Sequence, residues 1–592
     1  MVILGVHAGH DCGAALICNN KIAVALNEER LSRNKMSFGV PWRSIPKVLE
    51  IAGMSPADVD EIAFETISAK QFLIPHARPF FIKGFTTKGM GFLDFFYIKG
   101  KRLVFVKGFK AVVLSLIAAT GVPRWFFTDV LGYLFLRWLF GLRKKITFIS
   151  HHESHAGSAY FTGDMPETLS VVCEDYDGRD SMAIDLFRQG KMISLAKSRY
   201  PNSAGLFYAL ITRLCGYNHF LHCGKITGLA AYGDPKKAYS LVEKLFWAEG
   251  MELRASSQIF RLGVEYSKTG KIPNYFENHS VADLAAAFQA RLEDVIVSVV
   301  QKALVQTNAK HVALSGGVMA NVRLNQSIFE IPGVEEIFIH PGMSDCGVAA
   351  GAALALNSRR NGGKPYRLSD VFLGYEISDS EIERELNKRK MKYSKESNIA
   401  RTIAHLLQQK KVVVRVRGKM EYGPRALGNR SILYHCDDPS INKWLNARLQ
   451  RTEFMPFAPA ILAEHAPRCF QKYRGAEYAA EFMTITFQCT PWMKETCPAV
   501  VHVDNTARPQ FVTRQSNADF HGILAEYYKL TGIPVLINTS YNIHNEPIVM
   551  TASDAIRVFE QTCLDYIALN NYLVSSKENG LVWDENKMAI LS

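Results

Sequence analysis

Three short apolar segments separated by turns open this chain, and they restrict its fold more than any other feature of the sequence. Their residue patterns predict β-strands at Val2–Val6, Ala14–Cys18 and Ile22–Leu26. Asn19 and Asn20 separate the second segment from the third, and asparagine tolerates the left-handed backbone that tight hairpin turns require. The order strand, turn, strand, turn, strand predicts an N-terminal lobe built on a sheet.

Strand, turn and helix follow one another again later in the chain. The 3.6-residue periodicity of Val281–Thr307 predicts a long helix. Strands are predicted at His311–Ser315 and Glu336–His340, and each is followed by a turn and a helix. The second of these helices, Gly347–Leu356, is rich in small residues. Together with the opening strands, this repetition predicts a duplicated actin-like fold with ribonuclease-H-like lobes.

The predicted domain boundary is the polar stretch 358–365, which contains two glycines and ends in proline. Beyond it, predicted helices and strands are mixed: helices at Ser380–Lys388 and Asn398–Gln409, strands at Val412–Val416 and Val535–Ile537. We therefore expect an α/β domain over residues 1–365 and an α+β domain over residues 366–592.

The positive charge of the chain is concentrated in one segment. The formal net charge is +13, which by itself suggests an anionic partner. Residues 71–145 resemble an insertion and hold thirteen Lys and Arg against two acids, Asp94 and Asp129, a balance of +11. The rest of the chain is close to neutral, so the charge does not indicate a nucleic-acid-binding protein. The aromatic residues and lysines of 71–145 also suit a membrane surface or a hydrophobic acceptor.

The cysteines and the N-terminus predict a cytoplasmic protein. Eleven cysteines are scattered along the chain without a C-x-x-C pair, which is typical of reduced core thiols. The first residues lack the cationic start of a signal peptide. No window of about 20 residues is free of charge, as a membrane-spanning helix would need to be.

Two histidines and two aspartates form a candidate metal site. His151 and His155 are four residues apart, so on a helix both side chains point from one face. Asp175 follows an apolar strand, and Asp345 lies where a loop meets a helix. Two imidazoles and two carboxylates suit Fe²⁺, Mn²⁺ or Zn²⁺. Asp177 is an equal alternative to Asp175, and hydrogen-bonded structural histidines are an alternative to the metal.

A glycine-containing turn is a candidate nucleotide site. The sequence from Ser315 through Gly316 and Gly317 to Asn321 follows a predicted strand and precedes a helix. Glycine lets the backbone approach a phosphate at a helix N-terminus. An ordinary tight turn explains the same residues equally well.

Arginines in the second half form a candidate phosphate site. Arg425 and Arg430 lie in a glycine-containing loop, where the planar guanidinium group suits phosphate better than an ammonium group does. Arg451 and Arg508 lie near further turns, and Asn538 ends an apolar strand. The alternative is a solvated surface with scattered ion pairs, but these cations lie among Gly, Pro, Phe and Ala.

With these motifs assembled, the chain resembles the O-carbamoyltransferase family over nearly its full length. The matching stretches, in the order of the family, are 9–11, 28–33, 151–155, 224–230, 315–317, 421–431, 456–459, 502–508 and 538–540. The resemblance implies an actin-like module fused to a YrdC-like α+β module. It also implies that carbamoyl phosphate and ATP give carbamoyl-adenylate in the second module, and that a hydroxyl of a small-molecule metabolite attacks it in the first.

The resemblance assigns roles to individual residues. It implies metal binding, with Fe²⁺ expected, by His151, His155, Asp175 and Asp345. It implies that His10 and Lys35 lie near the transferred carbamoyl group, although a lone histidine or lysine in a turn is more often structural. The residues implied to hold carbamoyl phosphate or the adenylate are Arg425, Arg430, Arg451, Arg508 and Asn538.

Some positions depart from the family pattern. Cys223 stands where the family usually has an acid, and Met455 where it usually has an arginine. Two other functions compete with metabolite carbamoylation. They are threonylcarbamoylation of tRNA and docking on a membrane surface through residues 71–145. We expect no nucleic-acid partner, and a homodimer is consistent with the family.

Overall fold

The computed structural model describes residues 1–65, 124–141, 144–175, 179–451 and 454–583. Most of the predicted insertion 71–145 lies outside the described residues, as does Asp177. The first lobe contains β1 (Val2–His7), β2 (Gly9–His10), β3 (Gly13–Cys18), β4 (Lys21–Asn27), α1 (Glu28–Ser32), β5 (Phe38–Gly39), α2 (Ser44–Ile51), β6 (Glu61–Glu65), α3 (Arg124–Phe140), β7 (Lys145–Ile149) and α4 (His151–Thr162).

The sheet of the first lobe has the strand order β4-β3-β1-β6-β7. Its first three strands are antiparallel, and β6 and β7 join in parallel. Asn19 and Asn20 form the turn between β3 and β4 with φ values of 52° and 65°, the left-handed conformation expected from their side chains. The three predicted opening strands are therefore confirmed, each within two residues of its predicted bounds.

The second lobe repeats this arrangement. It contains β8 (Glu167–Cys173), β9 (Asp180–Arg188), β10 (Lys191–Arg199), α5 (Ala204–Leu214), α6 (Cys223–Ala230), α7 (Tyr239–Val242), β11 (Phe246–Glu249), β12 (Glu252–Ala255), α8 (Gln258–Thr269), α9 (Val281–Thr307), β13 (His311–Ser315), α10 (Val322–Phe329), β14 (Glu336–Ile339) and α11 (Val348–Asn361). Its sheet order is β10-β9-β8-β13-β14, again three antiparallel strands followed by two parallel ones.

The predicted boundary at 358–365 is partly helical, which corrects the prediction of a linker over the whole stretch. α11 continues to Asn361 and ends at Gly362, whose φ of 64° closes the helix in the left-handed conformation. Arg359 pairs with Glu153, and Arg360 pairs with Glu61 at 2.8 Å. These ion pairs hold the last turn of α11 on the first lobe, so the polar sequence is part of a packed helix.

Helices α4 and α11 lie between the two sheets. α11 packs on β1 and β3 of the first sheet, while α4 packs on β8 and β13 of the second. The two helices meet at Gly351, where an added Cβ would lie 1.8 Å from the backbone oxygen of Ser154. Glycine is therefore required for this close approach.

The C-terminal module is built on an eight-stranded mixed sheet with the order β15-β24-β23-β16-β17-β22-β18-β21. Its elements are α12 (Asp379–Lys388), β15 (Ser394–Lys395), α13 (Ile399–Gln408), β16 (Val413–Val416), β17 (Arg430–Tyr434), α14 (Ser440–Arg448), β18 (Ala458–Leu462), α15 (Ala466–Cys469), α16 (Glu477–Ala480), β19 (Phe487–Gln488), α17 (Pro491–Thr496), β20 (Thr506–Ala507), β21 (Gln510–Val512), α18 (Ala518–Thr531), β22 (Val535–Ser540), α19 (Ala552–Thr562), β23 (Tyr566–Leu569) and β24 (Tyr572–Ser575).

Two arginines of α1 and its C-terminal cap join the first lobe to this module. Arg30 donates to the carbonyl of Gly423 at 2.9 Å. Arg33 donates to the carbonyls of Pro547 and Ile548, both at 2.8 Å. The chain is thus a mixed α/β protein whose parts are in direct contact. Within its described part, no helix combines the length and apolar character that crossing a bilayer requires.

Candidate metal centre and anion pocket

Three side chains converge at the N-terminal ends of α4 and α11. The Nε2 atoms of His151 and His155 are 3.2 Å apart. The Oδ1 atom of Asp345 lies 3.5 Å from the first and 3.4 Å from the second. Donor atoms bound at about 2.1 Å to one tetrahedral or octahedral ion are about 3.0–3.4 Å apart. The three donors therefore have the spacing of a divalent-metal site.

Local structure explains this convergence. Ser150 caps α4, and His151 and His155 follow on its first turns, one above the other on a buried face. Asp345 opens the short 3-10 turn 345–347, which leads directly into α11. Because α4 and α11 pack against each other, the histidines and the aspartate are held on facing helices.

Glu65 fixes the orientation of two imidazoles at the end of β6. Its Oε1 lies 3.0 Å from Nδ1 of His151, and its Oε2 lies 2.6 Å from Nδ1 of His7. A carboxylate accepts hydrogen bonds, so Nδ1 of His151 carries a proton, and Nε2 is the ring nitrogen that faces His155 and Asp345. His7 and Glu65 are direct neighbours in the parallel pairing of β1 with β6.

A third carboxylate near the centre is that of Glu174. Its Oε1 lies 3.0 Å from Nε2 of His155, and it also accepts the backbone N–H of Gly317. His151, His155, Glu174 and Asp345 form one group of donor atoms within 4.8 Å of one another. Asp175, the ligand predicted from the sequence, is exposed at the next position and is not in that group.

Electrostatics keep the centre charged although it is buried. Burial raises the pKa of Asp345, but His151 and His155 outweigh it and hold that pKa well below its usual value. Burial lowers the pKa of His151, but Asp345 and Glu65 raise it well above the ordinary value. Similarly, Glu174 and Asp345 outweigh burial and raise the pKa of His155. An ionised carboxylate is thus present, and a bound cation would replace the imidazole protons.

The glycine turn supports this centre from the second lobe. Ser315 donates through Oγ to the carbonyl of His155 at 2.9 Å. Gly316 has a φ of 101°, and an added Cβ would lie 2.3 Å from the carbonyl oxygen of Cys173. Asn321 caps α10 and donates to Gln289 at 2.9 Å. These contacts describe a packed turn, and the nucleotide role of Ser315, Gly316, Gly317 and Asn321 stays a prediction.

His10 and Lys35 lie in different surroundings. Nδ1 of His10 is 3.9 Å from Oδ2 of Asp345, and the side chain is 38% exposed, so it lies at the solvent side of the centre. Its ring centroid is 6.3 Å from that of Phe220, and the centroid of Phe220 is 4.1 Å from that of His219. Lys35 is exposed in the turn between α1 and β5.

Arg425 and Arg508 form a candidate anion site in the C-terminal module, called the anion pocket below. Burial lowers the pKa of Arg425 to about 10. Burial and the neighbouring Arg425 lower the pKa of Arg508 well below its usual value. The Nε atom of Arg425 has no hydrogen-bond partner among the described residues. Two neighbouring, partly buried cations favour the binding of an anion such as phosphate.

The loop 421–430 that carries Arg425 is held rigidly. Glu421 accepts backbone hydrogen bonds from Leu427, Asn429 and Arg430 at 2.9, 2.7 and 2.9 Å. Asn538 donates to the carbonyl of Ala426 at 3.1 Å, while its own Oδ1 is buried without a hydrogen-bond partner in the described part of the chain. Asn538 thus lies beside Arg425 with an unused acceptor.

The two remaining predicted arginines have structural contacts. Arg430 is fully buried and donates to backbone carbonyls, including that of Gly418 at 3.0 Å. Arg451 contacts Ser540 and Asn542 at the end of β22, at 2.8 and 2.9 Å to their carbonyls. The N–H groups of Arg430 and Arg451 are thus hydrogen-bonded to other residues of the described chain.

The two departures from the family pattern have structural partners. Cys223 begins α6 and donates through Sγ to the carbonyl of His219 at 2.9 Å, which fixes the His219–Phe220 turn beside His10. Met455 packs on Gly228: a Cβ added to Gly228 would lie 2.1 Å from the Sδ atom of Met455. Neither residue replaces the charge of the acid or arginine that the family pattern suggests.

The metal centre and the anion pocket are close to each other. Cys346, the residue after Asp345, lies near enough to Arg425 for its thiol to affect the arginine pKa. Tyr422 of the same loop reaches His340 at 3.2 Å. The loop 421–430 therefore lies against the segment that presents the Asp345 carboxylate.

Sequence reasoning missed Glu65, His7 and Glu174. The signal for Glu174 was its place directly before Asp175 at the end of β8, where spacing alone does not decide which neighbour points inward. The signal for Glu65 was a polar residue ending a strand, but its partners follow only from the pairing of β1 with β6.

Comparison with known proteins identifies the family. The carbamoyltransferase N-terminus model matches residues 2–354, and the carbamoyltransferase C-terminus model matches residues 404–576. The nodulation protein NolNO of Sinorhizobium fredii is 30% identical over 96% of this chain and 79% of its own length. An uncharacterised protein of Methanocaldococcus jannaschii is 32% identical over 74% of each chain.

Two further similarities are weaker. The nodulation protein NolO of Bradyrhizobium diazoefficiens is 31% identical over 73% of this chain and 80% of its own length. The match to the solved structure of full-length HypF covers 40% of this chain and 39% of that one, with a TM-score of 0.26 and 15% identity, so it carries no structural argument.

The two family models together match most of the length of this chain, at residues 2–354 and 404–576. The chain therefore belongs to the carbamoyltransferase family.

Proposed function

We propose that this protein is an ATP-dependent O-carbamoyltransferase that acts on a hydroxyl group of a specialised small-molecule metabolite. In this proposal carbamoyl phosphate is hydrolysed to carbamate and inorganic phosphate, and the carbamate oxygen then attacks the α-phosphorus of ATP and expels pyrophosphate to give carbamoyl-adenylate. The metabolite hydroxyl then attacks the carbonyl carbon of the adenylate, loses its proton and displaces AMP. The observation that carries the proposal is the closeness of two sites of opposite character. The Arg425 guanidinium group lies close to Cys346, the residue that follows Asp345 of the metal centre, and Arg508 neighbours Arg425.

The proposal places adenylate formation at the anion pocket. Arg425 and Arg508 would neutralise phosphate oxygens, and they would stabilise the charge on phosphorus as the adenylate forms. Their low pKa values support this role, because a buried anion would relieve the repulsion between the two cations. The free Oδ1 of Asn538 would accept an N–H of the carbamoyl group or the adenine.

The proposal places transfer at the metal centre. His151, His155 and Asp345 would hold a divalent ion, for which we propose Fe²⁺, and an ion there supplies Lewis-acid stabilisation of the departing AMP. His10 would orient the acceptor hydroxyl or take its proton, because an imidazole nitrogen accepts protons and this side chain is 38% exposed. The repeated strand order of the two lobes supports a duplicated actin-like module, and the proposal assigns the C-terminal module to the YrdC-like type.

The acceptor would enter beside His10. The rings of His219 and Phe220, tilted by 38° with centroids 4.1 Å apart, form a partly exposed wall next to His10. Burial lowers the pKa of His219 to about 4, so this imidazole is neutral at physiological pH and presents an uncharged face. Such a wall suits the ring face of a hydroxylated metabolite. The similarity to nodulation proteins also supports a specialised metabolite over tRNA.

The experiment separates the two half-reactions. The protein is incubated with carbamoyl phosphate, ATP and a panel of hydroxyl metabolites, with threonine and tRNA as a parallel arm. Mass spectrometry follows carbamoyl mass gain, and pyrophosphate release follows adenylate formation. We expect His151→Ala to abolish transfer while pyrophosphate release persists, and Arg508→Ala to abolish both.

Matched controls are His405→Ala on α13 and Arg261→Ala on α8, which lie outside both sites. If His151→Ala and Arg508→Ala kept full turnover, the assignment of the two half-reactions would be wrong. Modification of tRNA without modification of any metabolite would replace the proposed acceptor class.

A further inference from the structure

An exposed ridge of large apolar side chains lies on the first lobe, where α3 packs on Phe64 of β6 and Phe148 of β7. We define the aromatic ridge as Tyr133, Leu134 and Trp138 on α3 together with Phe148 on β7. Leu134 is 56% exposed, Trp138 is 75% exposed and Phe148 is 52% exposed. Monomeric soluble proteins rarely present neighbouring large apolar side chains in this way unless the surface binds something.

The ridge is continuous and rigid. Leu134 and Trp138 are four residues apart, so they lie one turn apart on the outward face of α3. The ring of Tyr133 stacks on that of Phe148 with centroids 6.1 Å apart, and Phe135 stacks on Trp138 at 5.7 Å. β7 is the edge strand of its sheet, so Phe148 stands at the margin of the lobe.

The inner face of α3 anchors this surface to the core. Leu136 is fully buried. Gly132 packs on Phe64, whose ring an added Cβ would approach to 2.9 Å. Because one face of α3 is needed by the core, the outward position of Leu134 and Trp138 does not result from a loosely attached helix.

Two described cations flank the ridge. Arg137 lies between the ridge residues, its guanidinium 4.9 Å from the ring of Tyr133, and donates to the carbonyl of Lys144 at 2.6 Å. Lys145 is exposed at the start of β7 and is paired with Glu61 at 3.4 Å.

We propose that the aromatic ridge docks this protein on an anionic lipid bilayer, lying in the interface between headgroups and acyl chains. Apolar and aromatic side chains flanked by cations match the two layers of such a surface. Charge complementarity favours this occupant over a second copy of the chain, because a copy would bring the same cations, Arg137 and Lys145, to the contact.

The structure also determines the depth of docking. α3 has 17 residues and is about 26 Å long, shorter than the roughly 30 Å hydrocarbon core of a bilayer. Its Leu136 face packs on the lobe, so α3 cannot insert alone. The protein therefore lies on the surface, with Trp138 and Leu134 as the groups that enter it.

The test uses the full chain and two kinds of vesicle, phosphatidylcholine alone and phosphatidylcholine with phosphatidylglycerol. Co-sedimentation should show binding to the anionic vesicles that weakens when salt is raised. The variant Leu134→Ser/Trp138→Ser/Phe148→Ser should lower the partition coefficient by about 10-fold or more. The control Ile193→Ser/Val305→Ser, at exposed apolar positions elsewhere, should bind as wild type does.

Thermal unfolding of each variant establishes that it is folded, and the single variant Trp138→Ser repeats the test with the most exposed residue alone. Absence of wild-type binding to anionic vesicles would overturn the proposal, as would unchanged binding by the folded triple variant. Wild-type dimers that the triple variant converts to monomers, without vesicle binding, would overturn it in favour of self-association. The carbamoyl-transfer assay is not needed for any of these outcomes.

Discussion

The contact between α4 and α11 at Gly351 gives the sharpest mechanical prediction. In Gly351→Ala, the new Cβ would lie 1.8 Å from the backbone oxygen of Ser154, and real Cβ atoms essentially never approach below 3.0 Å. The two helices must therefore separate locally by about 1.2 Å. Overpacking against backbone costs up to about 3 kcal/mol. The better helix propensity of alanine returns about 1 kcal/mol, which leaves a net loss of about 2 kcal/mol.

The same displacement acts on the metal centre, because Ser154 lies between His151 and His155 on α4 while α11 follows Asp345 directly. A shift of about 1 Å between donors can cost on the order of 100-fold in a geometry-dependent function. We therefore expect Gly351→Ala to weaken divalent-metal binding by at least about 10-fold, measured by titration of the apo protein.

Gly522→Ala is the matched control for this substitution. It also lies inside a helix, α18, but no atom lies within 4 Å of the added Cβ. It should stabilise the protein by about 0.5–1 kcal/mol and leave metal affinity unchanged. If Gly351→Ala matched Gly522→Ala in both unfolding and metal titration, the close helix packing would not control the centre.

Three further predictions concern buried charges. Glu65→Gln should weaken metal binding by about 10–100-fold, because an amide cannot accept hydrogen bonds from both His7 and His151 as the carboxylate does. Metal titrations that are identical for the variant and wild type would contradict the role assigned to this carboxylate. The Arg360 guanidinium holds the pKa of Glu61 at about 2, below its usual 4.5. Wild type should therefore exceed Glu61→Gln in stability by about 1 kcal/mol at neutral pH, and the gap should close as pH falls from 4.5 towards 2, measured by denaturant unfolding. Arg430→Met should lower the free energy of unfolding by about 3 kcal/mol or more, since five carbonyls lose a donor; an unchanged denaturation midpoint would refute this.

The regular elements were predictable where local pattern alone determines them. The bounds of Val281–Thr307 and His311–Ser315 are those expected from the local residue pattern. The stretch 358–361 was not predictable, because its composition suggests a linker while ion pairs of Arg359 and Arg360 with distant acids stabilise a helix. Local sequence does not contain such long-range partners.

The candidate site was likewise predictable only where local spacing determines it. The spacing of His151 and His155 is a helical property, so their shared face followed from the sequence. The choice between Glu174 and its neighbour depends on which way one residue turns after β8 ends, and no periodicity operates there. Arg430 looked equivalent to Arg425 in the sequence, but it lies inside the strand pairing at the start of β17 and its donors are taken up by carbonyls.

The joint formed by Arg30 and Arg33 has a consequence for divergence among homologues. The acceptors at Pro547 and Ile548 are main-chain carbonyls, which every amino acid possesses. Positions 547 and 548 can therefore change without removing these two acceptors. Glu546 and Asp554 cannot, because their carboxylates lie 3.6 Å from the Arg33 guanidinium group. Substitutions at the joint are thus constrained by charge on both halves, while the main-chain acceptors between those acids leave the intervening sequence open to change.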